Sequence, residues 1–227
     1  MRALVLLGGE VCSPEAVRTV SRTCGLVVAA DGGARHLETL DLRADRLVGD
    51  FDSIDPDLLE RLQRTGIPVE RHPTDKDWTD SEIALSRAVA EGADEIVVVG
   101  ALGSRPDHGL ANQMLAARFA AEGVRVFLYD GCTLMAPLCG GTTCASLTGP
   151  QLASFLGQEG RGLAVSLVPL SPLVEGVCTH GLRFPLHGAL LSAGSTLGVS
   201  NEPTGRLSDI RVECSSGWLM VLATPAV

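Results

Sequence analysis

Over the first 130 residues, short apolar runs alternate with stretches whose apolar positions recur at helical spacing. Ala3 to Leu7, Leu26 to Ala30, Arg46 to Val48, Ile96 to Val99 and Val124 to Tyr129 read as strands. Ser13 to Thr23, Pro56 to Thr65, Asp80 to Glu91 and Asp107 to Glu122 read as helices, the last two closed by Gly92 and Gly123, where a left-handed cap is favoured. This alternation predicts a mostly parallel sheet wrapped by helices. Thr79-Asp80-Ser81-Glu82, just ahead of Ile83, is a capping-box arrangement that sets a helix start at about Asp80.

From Gly131 to Gly162 the pattern breaks into Gly, Thr, Ser, Pro and Cys, with one short helical stretch near Leu152 to Leu156. Beyond it, Leu163 to Leu170, Val177 to His180, Leu182 to Leu186, Ala189 to Ser192, Arg211 to Cys214 and Trp218 to Leu222 are short β-type runs. The last two, joined through Ser215, Ser216 and Gly217, predict a hairpin. The expected class is therefore α/β: a mostly parallel sheet flanked by helices over 1–140, a linker over 141–160, and a smaller all-β, sandwich-like domain over 161–227. A β module that small is expected to lean on the first domain or on a second subunit.

Composition narrows the functional classes. With 45% hydrophobic and 20% charged residues in a chain of 227, a buried core is affordable. The net charge of -9 argues against a nucleic-acid partner, which requires a basic stripe. No apolar run approaches the ~18 residues of a membrane span, and the N-terminal run stops at Leu7, too short for a signal segment, so no membrane partner is expected. Seven scattered cysteines without a Cys-x-x-Cys pair indicate neither a disulfide framework nor a zinc ribbon, and fit a reducing cytoplasm. Lys76 is the only lysine.

Three acidic loops follow strands or precede a helix: Asp31-Gly32-Gly33, Gly49-Asp50-Phe51-Asp52-Ser53, and Pro73 to Asp80. In extended backbone, residues two apart point the same way, so Asp50 and Asp52 can present both carboxylates to one point. Oxygen-only ligands favour a hard ion such as Mg2+. Any one of these loops is also an ordinary turn, and Asp80 alone is explained by helix capping or first-turn charge. Together they bring repelling carboxylates into one region, which makes sense with a metal or cationic ligand between them. A fourth loop, Gly100 to His108, leads from a strand into a helix whose free N–H groups suit phosphate, although it is neither a dinucleotide fingerprint nor a Walker A loop. Arg105 offers a planar donor to phosphate or pairs with Asp107, which is placed at the cap position. His108 reads as a packed first-turn residue, and Lys76 as a phosphate contact in preference to a partner of Asp75 or Asp77.

The ordered set ADGGA (Ala30 to Ala34), GDFDS (Gly49 to Ser53), PTDKDWTDSE (Pro73 to Glu82), GALGSRPDH (Gly100 to His108) and GVSNE (Gly198 to Glu202) resembles the thiamine pyrophosphokinase family over nearly the whole chain. The resemblance implies transfer of the pyrophosphoryl group of ATP to the hydroxyethyl group of thiamine, with Mg2+ as cofactor and AMP as the second product. It places Asp50, Asp52 and Asp80 at the metal and polyphosphate, and Asp31, Lys76, Arg105 and Asp107 on the ATP side. Asp52, Asp80, Arg105 and Asp107 form the catalytic set, one of Asp52 or Asp80 accepting or orienting the proton of the attacking hydroxyl. Ser200 and Asn201 hold the thiamine ring, although from the residues alone they read as a β-turn. Trp218 reads as a core residue before it reads as a stacking platform. A homodimer with the site at the subunit interface is also implied. The loop departs from the family pattern in having Ser104 where a second glycine usually precedes the arginine, and 131–162 is rich in Cys and Gly. Competing readings are a pyrophosphokinase for another alcohol such as a hydroxymethylpterin, a Mg2+-dependent nucleotide hydrolase, and a non-catalytic sensor.

Overall fold

A computed structural model describes residues 1–103 and 105–226; Ser104 of the fourth loop lies outside the described residues. By its own contacts the chain forms two compact units, Met1–Asn112 and Gln113–Val227.

The first unit runs β1 (Arg2–Leu6), α1 (Pro14–Ser21), β2 (Leu26–Ala30), a 3-10 turn (Asp31–Ala34), α2 (Arg35–Leu40), β3 (Arg46–Gly49), α3 (Pro56–Arg64), β4 (Val69–Arg71), α4 (Asp80–Ala90) and β5 (Glu95–Val99), then enters α5 (Pro106–Ala121). The strands lie in the order β4-β3-β2-β1-β5 and every pairing is parallel. All five positions of β2 and four of five in β1 and β5 are buried. That is why they read as continuous apolar runs: a parallel sheet is covered on both faces. Across one face, α4 packs over β1, β2 and β3, with Ala84 and Ala88 fully buried. Its start is where the capping box puts it, Thr79 Oγ1 accepting Glu82 N–H at 3.3 Å. Two elements escape the pattern. The edge strand β4 offers no apolar run to read, and α2 is only six residues long.

The second unit continues through β6 (Arg125–Tyr129), β7 (Leu134–Cys139), β8 (Ser146–Thr148), α6 (Gly149–Leu156), β9 (Leu163–Pro169), β10 (Leu173–His180), β11 (Ala189–Ser192), a 3-10 turn (Leu207–Asp209), β12 (Arg211–Glu213) and β13 (Trp218–Pro225). Two antiparallel arrays result, β6-β7-β13-β9 and β11-β10-β12-β8. The α/β class with a separate antiparallel β portion is as expected.

The expected hairpin is not formed: β12 pairs with β10 and β8, while β13 pairs with β7 over six residues and β9 over seven. The Ser215 to Gly217 turn passes the chain from one array to the other, with Gly217 at φ +81 against the Leu173 carbonyl. The stretch 131–162 carries regular elements of its own. Strand β7 is buried at all six positions, and α6 begins with a capping box between Thr148 and Gln151. Cys24, Cys139, Cys144, Cys178 and Cys214 are free thiols. Cys12 and Cys132 are disulfide-bonded, which corrects the expectation of a wholly reduced chain. Among the described residues no helix is long and apolar enough to cross a membrane.

Candidate active site

In the first unit, chain order runs outward from β1 through β2 and β3 to β4, then returns to the other side of β1 in β5. Open parallel sheets bind ligands at such a reversal, beyond the carboxyl ends of the strands. The loops after β1 and β5 meet there, Gly9 N–H donating to Gly100 O at 2.8 Å and Glu10 N–H to Leu102 O at 2.7 Å. A Cβ on Gly9 would stand 2.0 Å from Leu102 O, so this approach requires glycine. Beside these loops is a cleft of about 290 Å³ whose lining includes Gly8, Asp31, Ser53, Asp80, Arg105 and Asn112.

Asp31 and Asp80 line this cleft, and Asp50 and Asp52 lie beside them. Asp31 is buried, opens its 3-10 turn at φ +43, and its Oδ1 accepts Ser53 N–H at 3.4 Å. Asp31, Asp50 and Asp52 each bring one carboxylate oxygen within 4.8 Å of the others. Hard oxygen donors at that spacing suit a hard cation. Of the three residues assigned to metal from the sequence, Asp50 and Asp52 fall in this trio and Asp31 completes it. Asp80 lies beside them, next to Lys76.

Lys76 Nζ donates to Asp50 Oδ2 at 2.9 Å and lies 3.0 Å from Asp80 Oδ1. The second contact pairs charges without aiming an N–H at the oxygen, which is buried and has no hydrogen bond of its own. The hydrogen bond from Lys76 holds the Asp50 carboxyl below its ordinary pKa. Burial is the main influence on Asp80 and pushes its pKa up, with the Asp50 and Asp31 charges adding to it and Lys76 opposing. For Lys76, burial disfavours the charge, but the hydrogen bond to Asp50 and the contact with the Asp80 carboxylate outweigh it and leave the amine above the ordinary lysine value.

Arg105 lines the cleft, and its guanidinium is forked onto Asp107, Nη2 to Oδ2 at 2.6 Å and Nε to Oδ1 at 3.3 Å. Both are exposed, and the Arg105 hydrogen bonds lower the Asp107 pKa to about 2. Pro106, not Asp107, is the first residue of α5, so Asp107 is a first-turn residue and not the cap. His108 is exposed and lines the cleft instead of packing.

Three contributors escaped the sequence reading. Gly8-Gly9 after β1 carries a readable signal, a glycine pair at a strand end. His36 is buried with Nε2 donating to Gly9 O at 3.0 Å, burial lowering its pKa, and Asn112 Nδ2 donates to Ala101 O at 2.8 Å. Both hold the cleft's loops from positions far along the chain, without a local motif.

In the second unit, Ser200 is exposed in left-handed backbone at φ +59, its N–H donating to Ser166 Oγ at 2.9 Å. Asn201 is buried and its amide is engaged at both its oxygen and its nitrogen. Oδ1 accepts Phe184 N–H at 3.1 Å and Glu202 N–H at 2.9 Å, and Nδ2 donates to Phe184 O at 2.7 Å. Trp218 packs against the buried Ala120, Cys139 and Cys144 cluster, as a core residue does.

Two family models match the chain: the thiamin pyrophosphokinase catalytic domain over residues 17–128, and the thiamin pyrophosphokinase vitamin B1 binding domain over 157–219. The chain belongs to the thiamine pyrophosphokinase family. Membership makes it an enzyme of the ATP-dependent pyrophosphotransferase class. The thiamine pyrophosphokinase of Bacillus subtilis (strain 168) is 26% identical over 178 residues, 78% of this chain and 74% of that protein. Thiamine pyrophosphokinase 1 of Oryza sativa subsp. japonica is 27% identical over 207 residues, 81% of this chain and 75% of that protein. Among solved structures, a thiamin pyrophosphokinase from Geobacillus thermodenitrificans aligns with TM-score 0.77 at 28% identity, covering 99% of this chain and 97% of that one. The Bacillus subtilis structure shares the fold with TM-score 0.80 at 22% identity, over the full length of both chains. The catalytic-domain match contains the whole set from Asp31 to Asp107, and the vitamin B1 binding match contains Ser200 and Asn201.

Proposed function

We propose that this chain transfers the pyrophosphoryl group of ATP to the hydroxyethyl oxygen of thiamine, giving thiamine diphosphate and AMP. The observation that carries the reading is the convergence of Asp31, Asp50 and Asp52, beside Lys76, at the carboxyl ends of parallel strands inside the catalytic-domain match. Mg2+ is the implied cofactor. The all-oxygen donor set fits it, and Asp50 and Asp52 would hold it with Asp31 and Asp80 beside them; when bound, it neutralises polyphosphate charge.

The chain's own residues do the rest. Arg105, presented as a fork by Asp107, and Lys76 bind non-bridging phosphoryl oxygens, and α5 directs its N-terminus toward them. The attacking hydroxyl forms an O–P bond at the β-phosphorus while the bond to the α-phosphate bridging oxygen breaks and AMP leaves in line. Its proton passes to one of Asp52 or Asp80. Burial raises the pKa of Asp80 and favours it in that role. Residues 1–140 would serve ATP and metal, 141–160 would link, and 161–227 would serve thiamine. Ser200 would contact the ring directly and Asn201 would shape its surroundings. The acidic cleft and net charge of -9 favour approach of a cationic substrate. A homodimer with its site at the subunit interface and a cytoplasmic location complete the reading, and a fully active monomer in sedimentation would contradict the former.

Incubation with ATP, Mg2+ and thiamine, followed by mass spectrometry, tests the reaction. Thiamine diphosphate with stoichiometric AMP supports it. AMP without an acceptor product indicates a hydrolase, a product formed only with a hydroxymethylpterin indicates another acceptor, and retention of ligand without turnover indicates a sensor. Each of these overturns the proposal.

A further inference from the structure

Lys76 lies between two acidic neighbours in sequence, Asp75 and Asp77, both exposed, yet its ammonium turns away from them into the cluster. The side chains of Lys76 and Asp50 are each 10% exposed and that of Asp80 is 25% exposed. Both oxygens of Asp50 are engaged, Oδ2 by Lys76 and Oδ1 by Asp52 N–H at 3.3 Å. A cation arriving at Asp50 therefore meets a positive charge already in contact with the same carboxylate.

We propose that Lys76 is a resident counter-ion of the acidic cluster, which a divalent cation must displace from Asp50 and which the nucleotide's phosphates then receive, so that cation and nucleotide bind as a coupled pair. The inference rests on the ATP and divalent-cation reading above. Like charges side by side in a partly buried site repel, so the cation alone binds against the ammonium. Released from Asp50, the amine keeps only Asp80, 3.0 Å away and without a hydrogen bond, beside the arriving cation, and a four-carbon stem on a loop gives it the reach to swing onto a phosphate. By linkage the coupling is reciprocal, the nucleotide tightening the cation as much as the cation tightens the nucleotide.

Lys76 is the sole lysine, so the only other amine that a reagent can modify is the N-terminus, which a peptide map separates. On the unmodified chain, an amine-reactive reagent is expected to label Lys76 slowly. Labelling should become several-fold faster with Mn2+ alone and slow again with Mn2+ plus α,β-methylene ATP. In Lys76→Met, checked for folding by circular dichroism, the Kd for Mn2+ without nucleotide should fall by about tenfold or more. The proposal is overturned if Mn2+ leaves labelling unchanged, or if the variant binds Mn2+ no more tightly than the parent. Labelling needs no variant and no turnover. A chain that makes no thiamine diphosphate but shows these shifts defeats the functional reading alone, and one that turns over with Lys76 indifferent to Mn2+ defeats this one alone.

Discussion

Asn201 grips Phe184 by both main-chain groups, accepting its N–H at 3.1 Å and donating to its carbonyl at 2.7 Å across seventeen positions of sequence. Asn201→Ala would break these partly buried bonds and should cost about 1–3 kcal/mol, read from denaturant unfolding. Ser200→Ala removes only an exposed hydroxyl and should leave unfolding unchanged while raising the KM for thiamine. Equal unfolding curves for the two variants would show that Asn201 is not the scaffold residue described here.

Gly49 stands where a side chain cannot. Its φ is +138, and a Cβ would lie 3.1 Å from Asp31 Cβ and 3.3 Å from Asp80 Oδ1. Gly49→Ala should destabilise by about 1–3 kcal/mol through backbone strain and push Asp31 and Asp80 apart, lowering affinity for Mg2+ in titration calorimetry.

Asp50 and Asp80 share one lysine and should respond oppositely to pH. The folded Asp50 pKa lies below 3.8, so the stability it contributes is present above 3.8 and is lost as pH falls through its lower folded value. The folded Asp80 pKa lies above 3.8, so its contribution is present below 3.8 and is lost as pH rises through its raised folded value, making its charge a cost at neutral pH. Asp80→Asn should therefore raise the Tm at neutral pH, a gain that disappears in acid, whereas Asp50→Asn should lower it. Both should reduce turnover by about 100-fold or more.

Arg105 and Asp107 are an exposed pair, and exposed pairs contribute little to stability. With Asp107 ionised down to about pH 2, the fork stays oriented at any working pH. Arg105→Ala should leave the Tm unchanged and lower kcat/KM for ATP by about 100-fold. A Tm that falls with activity would give the pair a structural role.

The single tyrosine supplies a spectroscopic check on the second unit. Tyr129 is buried with its hydroxyl donating to Phe155 O at 2.8 Å, and burial pushes its pKa from 10.0 up to about 12. Tyrosinate absorbance should titrate near 12 in the folded protein and near 10.0 in denaturant. Because the unfolded chain ionises first, stability should fall as pH rises from 10.0 through about 12.

Strands β1, β2, β3 and β5 and helices α1, α3, α4 and α5 were readable because burial on a regular element repeats at a fixed spacing. The candidate site was readable to the extent that Asp31, Asp50, Asp52 and Asp80 sit in short loops at element ends. Arrangements that depend on which strands choose each other were not. Arg211 to Cys214 and Trp218 to Leu222 have the look of a hairpin, but β13 gains far more pairing between β7 and β9 than the short β12 could offer. Strand β7 hid in a Gly- and Cys-rich stretch, because full burial removes the alternation that marks a strand.

The sequence by itself determined the α/β character, the acidic loops, the placement of the helix starts at Asp80 and Pro56, and the family, since each depends on residues close together in the chain. Tertiary structure alone decided that Asp31 joins Asp50 and Asp52, that Lys76 reaches back twenty-six positions to Asp50, and that Asn201 is occupied by Phe184. Those are contacts between distant segments, and they form only once packing of the sheet has set the distance between loops that the chain keeps far apart.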